Sequence, residues 1–93
     1  AWCHFNGSGT PSIAASGNIS GITDDGVGLY TLAFSNAMPD GNYVIGGTGG
    51  SGGTGDNTVL GLDNNATGGF RLLVENNAGT NVDRSSTVVM VVR

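Results

Sequence analysis

Lysine is absent from this 93-residue chain, and its three arginines face seven carboxylates, for a formal net charge of −4. Phosphate backbones are held by clustered cations, so nucleic acid is not an expected partner. Cysteine occurs once, as Cys3. No internal disulfide can form, and the staple usual in small secreted modules is missing. No apolar run approaches the roughly 18 residues of a membrane-spanning helix, and no signal peptide is recognisable, so membrane insertion is not expected. Helix has little room either, because no window of about ten residues places apolar side chains at a 3.6-residue spacing. Proline is scarce, with two copies, and charged residues make up only 11% of the chain.

Glycine fills much of that space, with 18 copies among abundant Ser, Thr and Asn. Such a composition describes short strands joined by tight turns, and the fold class it predicts is all-β. A chain of this length makes one small domain that buries roughly 60–65% of its unfolded surface. That core is modest and unstapled, so oligomerisation is the expected further source of stability. Low charge with neutral polar residues suits an extracellular or virion surface. The chain opens inside a strand-like segment without an initiating Met, and it is read as the terminal piece of a longer polypeptide.

Alternation places the elements. Strands are predicted over residues 1–6, 12–16, 19–23, 28–35, 42–47, 58–62, 69–75 and 87–93. In the first, Cys3 and Phe5 share one face and Trp2 and His4 the other. In the fourth, Tyr30, Leu32 and Phe34 alternate with Thr31, Ala33 and Ser35. Asp24-Asp25-Gly26-Val27-Gly28 reads as the turn before it, since Asp-Gly between alternating runs signals a hairpin. Met38 is extended because it precedes Pro39, and Pro39-Asp40-Gly41 supplies a turn. Residues 48–57 (TGGSGGTGDN) read as a flexible loop, and residues 63–68 as the loop of a second hairpin. The last strand is apolar on both sides: Val88, Met90 and Val92 point one way, Val89 and Val91 the other. In so small a domain a face of that kind is expected at a subunit interface, together with Trp2 and His4.

Catalytic and metal chemistry find little support. His4 is the lone histidine, and a strand histidine at an interface is the preferred reading over a Ser-His-Asp relay. Asp24 and Asp25 are adjacent on a turn and diverge, so they make no acid/base pair. Asp63-x-Asn65-x-Thr67-Gly68 brushes the opening of a calcium loop, but Val74 stands where the bidentate Glu belongs and Glu75 is one place off. The Gly-rich run over residues 46–55 lacks the Lys-Ser/Thr ending of a phosphate cradle. Asn6-Gly7-Ser8, Asn18-Ile19-Ser20 and Asn65-Ala66-Thr67 are sequons by pattern only. No cofactor, no metal and no enzymatic activity are expected.

Three segments carry a resemblance. Ala1-Trp2-Cys3-His4-Phe5-Asn6-Gly7-Ser8-Gly9 resembles the Ala-Trp-x-x-Phe-Asn-Gly-(Ser/Thr)-Gly opening of C-terminal domains of bacteriophage tail fibres. Residues 18–34 are similar to that family's N-x-S-x-I-T-D-x-G-x-G-x-Y-T-x-x-F hairpin, and Ala37-Met38-Pro39-Asp40 with Tyr43 to the A-(M/L)-P-D-x-x-Y that follows it. The close, from Asp83 to Arg93, resembles the family's valine-rich terminal strand. The likeness covers residues 1–45 and 82–93; the family commonly has Val and Asn where Cys3 and His4 stand.

The resemblance implies a small antiparallel β-sandwich, intertwined or packed as a homotrimer, at the tip of a virion fibre and joined to the remainder of its shaft. It implies attachment to a host glycan or outer-membrane protein. Trp2, His4, Val89 and Val91 are then the expected trimer interface, and three His4 copies around the trimer axis form a sharper alternative for that histidine, a shared metal site. Receptor contact is expected from loops held on the rigid sandwich, through Ser51, Thr54, Asp56, Asn57, Asn64, Asn65, Asn76 and Asn77. Two alternatives stand beside this reading: a purely structural trimerisation or decoration domain on a virion appendage, and a secreted carbohydrate-binding module.

Overall fold

Period-two alternation decides where the chain puts its first strand. In the computed structural model, which describes residues 1–50 and 57–93, β1 (Trp2–Asn6) turns Cys3 and Phe5 inward, both 0% exposed. Trp2, His4 and Asn6 face outward. β2 (Ser12–Gly17) returns beside β1 as an antiparallel neighbour. The chain then crosses to a second layer through Asn18, whose φ of 57° is a conformation that Asn tolerates better than most residues. Its side chain fixes the corner, accepting from the Asn36 amide at 2.7 Å and donating to the Asn36 carbonyl at 3.0 Å.

The second layer begins with β3 (Ile19–Gly26) and β4 (Leu29–Phe34). It is completed by β6 (Val59–Ala66) and β7 (Gly69–Glu75), in the order β3-β4-β7-β6. The first layer takes β5 (Val44–Gly50) and β8 (Ser86–Val92), in the order β2-β1-β8-β5. Every pairing in both four-stranded sheets is antiparallel, and the described residues contain no helix. The all-β expectation holds, with the two sheets packed as a small β-sandwich.

Between the sheets lie Cys3, Phe5, Val89 and Val91 from the first and Tyr30, Leu32, Phe34, Phe70, Leu72 and Val74 from the second. Each large side chain buried in this way stabilises the fold by about 1.5–3 kcal/mol. Phe5 and Tyr30 meet edge to face across the layers, with centroids 5.0 Å apart. Phe34, Tyr43 and Phe70 form a second aromatic group, with centroid separations of 5.5 to 6.0 Å.

Two hydroxyls tie distant segments together. The Tyr30 hydroxyl donates to Asp83 Oδ1 at 2.6 Å, with the Gly7 carbonyl oxygen 3.0 Å away. The same Asp83 oxygen accepts from the Gly28 amide at 2.9 Å, and the Gly7 amide donates to the Arg84 carbonyl at 2.8 Å. A side chain at position 7 would collide with the Tyr30 hydroxyl. Gly28 is required twice over: its φ is +66°, and a Cβ would strike the Val74 carbonyl. At the other end, the Tyr43 hydroxyl lies 2.8 Å from the Gly69 carbonyl and 2.9 Å from that of Ala66, closing the mouth of the β6–β7 hairpin.

The structure corrects several local expectations. Asp24 and Asp25 are not in a turn: β3 runs on through a bulge to Gly26, and the turn is Val27-Gly28. The glycine run after Gly47 does not begin a loop, because Thr48, Gly49 and Gly50 pair with Val88, Thr87 and Ser86 of β8. A neighbouring strand supplies hydrogen bonds that composition cannot foresee. β6 extends to Ala66 across an irregularity at Asn64-Asn65, with Asn64 at φ 52°, so only Thr67-Gly68 form the turn.

Candidate interaction surfaces

Charge divides the two sheets. β1, β2, β5 and β8 contain no Asp, Glu, Lys or Arg. In the second sheet β3, β6 and β7 carry Asp24, Asp25, Asp63, Arg71 and Glu75.

The outer face of the charge-free sheet is apolar. Trp2 is 45% exposed, Val44 64%, Met90 54% and Val92 55%. Register makes them one patch: Trp2 stands beside Met90, Met90 beside Gly46, and Val92 beside Val44. Val88 joins it next to His4. The Trp2 indole lies against Gly17 on its other side, where any side chain would collide with the ring. Contiguous apolar patches of several hundred Å² on a small domain mark interaction sites.

Burial separates the four residues expected at an interface. Trp2 and His4 do face outward. Val89 and Val91 do not: at 0% and 4% exposure they belong to the protomer's own core. The outward valines of β8 are Val88 and Val92, with Met90 between them. The inter-sheet packing chose which apolar side of β8 was buried.

His4 Nε2 lies 3.0 Å from Ser86 Oγ on the same exposed face. Among the described residues no other hydrogen bond holds the ring, so no carboxylate orients it as a base would require. Cys3 offers no nucleophile, since burial pushes its thiol up to about 11. No group of three or more His, Cys, Asp or Glu among the described residues is placed to hold a metal. The calcium-like segment is occupied otherwise: Asp63 receives Arg71 Nε at 2.8 Å and Nη2 at 2.6 Å. These bonds hold the Asp63 carboxyl below its usual range.

On the second sheet's outer side a shallow depression of about 310 Å³ opens between Thr31, Ala33, Asn64, Gly69 and Arg71. Among the residues expected to contact a receptor, Asn64 lines this depression, and Asn65 sits exposed beside it. Asn57 is exposed at the start of the segment leading into β6, and Asn77 is exposed after β7. Asn76 organises its own turn: its side-chain oxygen accepts from the Ala78 and Thr80 amides, both at 3.0 Å. Ser51, Thr54 and Asp56 lie outside the described residues. These asparagines do not form one cluster. Asn57, Asn76 and Asn77 lie where Val59 pairs with Glu75, and Asn64 and Asn65 lie at the opposite end of that ladder. The ladder separates them by about 20 Å at 3.3–3.4 Å per residue.

Val44, Val88, Met90 and Val92 were missed as surface residues, yet the sequence carried a signal for them. Residues 1–23, 26–39, 41–55 and 85–92 contain no charged side chain; the first, third and fourth windows supply all four strands of the apolar sheet, while the second supplies β4 and the first also opens β3 of the other sheet. Comparison with protein-family models, curated proteins and solved structures finds no match to this chain.

Proposed function

We propose that this domain is a non-enzymatic tip of a virion fibre, assembling as a homotrimer through the outer face of its charge-free sheet and attaching the particle to a host surface. One observation carries the reading: strand-borne charge is confined to one sheet, and the other presents Trp2, Met90 and three half-exposed valines to its surroundings. Water favours covering such a face, and copies of an acidic chain repel least where neither bears charge. The charged sheet and its asparagine-bearing turns remain outward, suited to a host glycan or an outer-membrane protein loop. The likeness of the opening, hairpin and closing segments to phage tail-fibre domains supports the same assignment. Its residues Gly7, Gly28, Tyr30 and Asp83 make up one hydrogen-bonded knot.

Sedimentation equilibrium from 1 to 100 µM tests assembly. The expected mass is three times the 9.3 kDa chain, with the emission of the single Trp2 shifting to the blue as the complex forms. A monomer across the whole range overturns the assembly reading. Binding of the labelled trimer to bacterial cells tests attachment, and a trimer that binds no cell of a broad host panel overturns that half.

A further inference from the structure

Glycine inside a strand usually has a cause within the protomer. At Gly17 it is the Trp2 ring, and at Gly47 it is the Val88 carbonyl, with which a Cβ would collide. Gly46 has no such cause. A Cβ built there meets no atom of the described residues within 4 Å, and its φ lies outside the left-handed region. It sits mid-strand in β5, on the outward side, opposite Met90. Glycine costs a strand both backbone entropy and side-chain packing. An outward glycine that its own fold does not require leaves room for something else to come close; Gly21 on the second sheet shares that property, and what sets Gly46 apart is its place beside the exposed Trp2 and Met90.

From this we infer that a second copy of the chain lies against the outer face of the charge-free sheet, with its Trp2–Met90 ridge seated in the trough over Gly46. The inference rests on the assembly reading above and specifies its contact. Three features commit the face to a copy of itself. The first is relief: across the sheet the row runs Gly17, Trp2, Met90, Gly46, two large residues flanked by two glycines. Trp2 covers the trough at Gly17 and leaves the one at Gly46 open. Ridge and trough thus occur side by side on one surface, so in a trimer each copy's ridge enters one neighbour's trough while its own trough receives the ridge of the other. The second is charge. None of the four strands carries a charge to pair with an ionic partner, while the chain as a whole bears −4. The third is size. Four strands about 4.8 Å apart and five to seven residues long give a face of roughly 19 by 21 Å. Three such faces gathered about one axis bury on the order of 1,200 Å² in the whole assembly, above the roughly 1,000 Å² that a specific association needs.

The experiment compares Gly46→Val with Gly21→Val in the full chain. Gly21, on the outer side of the second sheet, likewise has no described atom within 4 Å of a built Cβ and no left-handed φ. Valine suits a strand at both positions, so the thermal midpoint measured at a dilution where each protein is monomeric should hold or rise. Association by sedimentation should weaken at least tenfold in Gly46→Val and stay within twofold of the parent in Gly21→Val. Gly46→Ala, with a single added methyl, should fall between and serves as the readout if the valine variant does not fold. Gly46→Val assembling like the parent overturns the inference while leaving the assembly reading in place. Equal weakening by Gly21→Val overturns it as well. A parent chain that stays monomeric at 100 µM defeats both.

Discussion

Removing one hydroxyl, in Tyr30→Phe, tests the knot that joins the opening, hairpin and closing segments. The ring stays in place against Phe5 and the side chain is fully buried, so core volume hardly changes. What is lost is the 2.6 Å bond to the Asp83 carboxylate and the contact with the Gly7 carbonyl. A hydrogen bond to a charged partner is worth about 1.5–3 kcal/mol. A loss near 2 kcal/mol is therefore expected, a large share of the 5–15 kcal/mol typical of a folded domain. In a chain of this length it corresponds to a fall of about 8–16 °C in Tm. Urea denaturation followed by circular dichroism reads the change, at a dilution that keeps the protein monomeric. Asp83→Asn alone and together with Tyr30→Phe closes a double-mutant cycle, with a coupling of at least about 1 kcal/mol. Alkaline pH supplies a second readout. Burial and then the Asp83 hydrogen bond raise the Tyr30 hydroxyl above its ordinary value. The folded state thus keeps its proton where the unfolded chain gives it up, and stability declines as pH rises past about 10. Tyr30→Phe should flatten that decline. A loss under about 0.5 kcal/mol with no coupling would refute the claim that this knot holds the segments together.

Two further expectations follow from the ion pairs and the buried thiol. Arg93 grips Asp40 through Nε at 2.8 Å and Nη2 at 2.7 Å, and holds its carboxyl down to about 2. Asp63 is lowered likewise by Arg71. Both carboxylates bind protons less tightly folded than unfolded, so their contribution is present above about pH 4 and is lost as pH falls toward 2. Urea midpoints at pH 6, 4, 3 and 2 should drop through that window, less steeply in Arg93→Gln, and a flat profile would contradict the assignment. Cys3, buried and raised to about 11, should resist a disulfide reagent at pH 8 in the folded protein and react fully in urea. Stoichiometric labelling of the native chain would show that β1 does not bury its inner face.

How much was legible follows from where each cause lies. Alternation is local, so the inward placement of Cys3 and Phe5, and of Tyr30, Leu32 and Phe34, could be read from the chain. Turn chemistry is also local, but only to within a residue or two: Asp25-Gly26 signalled a hairpin whose turn formed two residues later, at Val27-Gly28. The loops proposed for receptor contact were read from composition alone. Composition does not distinguish Asn76, whose side chain organises its own turn, from Asn64, whose side chain faces an open depression.

β8 marks the boundary most clearly. Both of its sides are apolar, and nothing in the order Val88-Val89-Met90-Val91-Val92 says which one turns inward. That choice belongs to the second sheet, whose Tyr30, Leu32, Phe70 and Leu72 fill the space above Val89 and Val91. β5 is similar, since its glycines become a strand only because β8 offers a partner ladder. The sequence by itself determined an all-β chain, the phase of its alternating strands and the charge-free windows. Only tertiary structure gathered four strands from those windows into one sheet, because strand pairing and sheet stacking join residues far apart in the chain, and no local pattern records their partners.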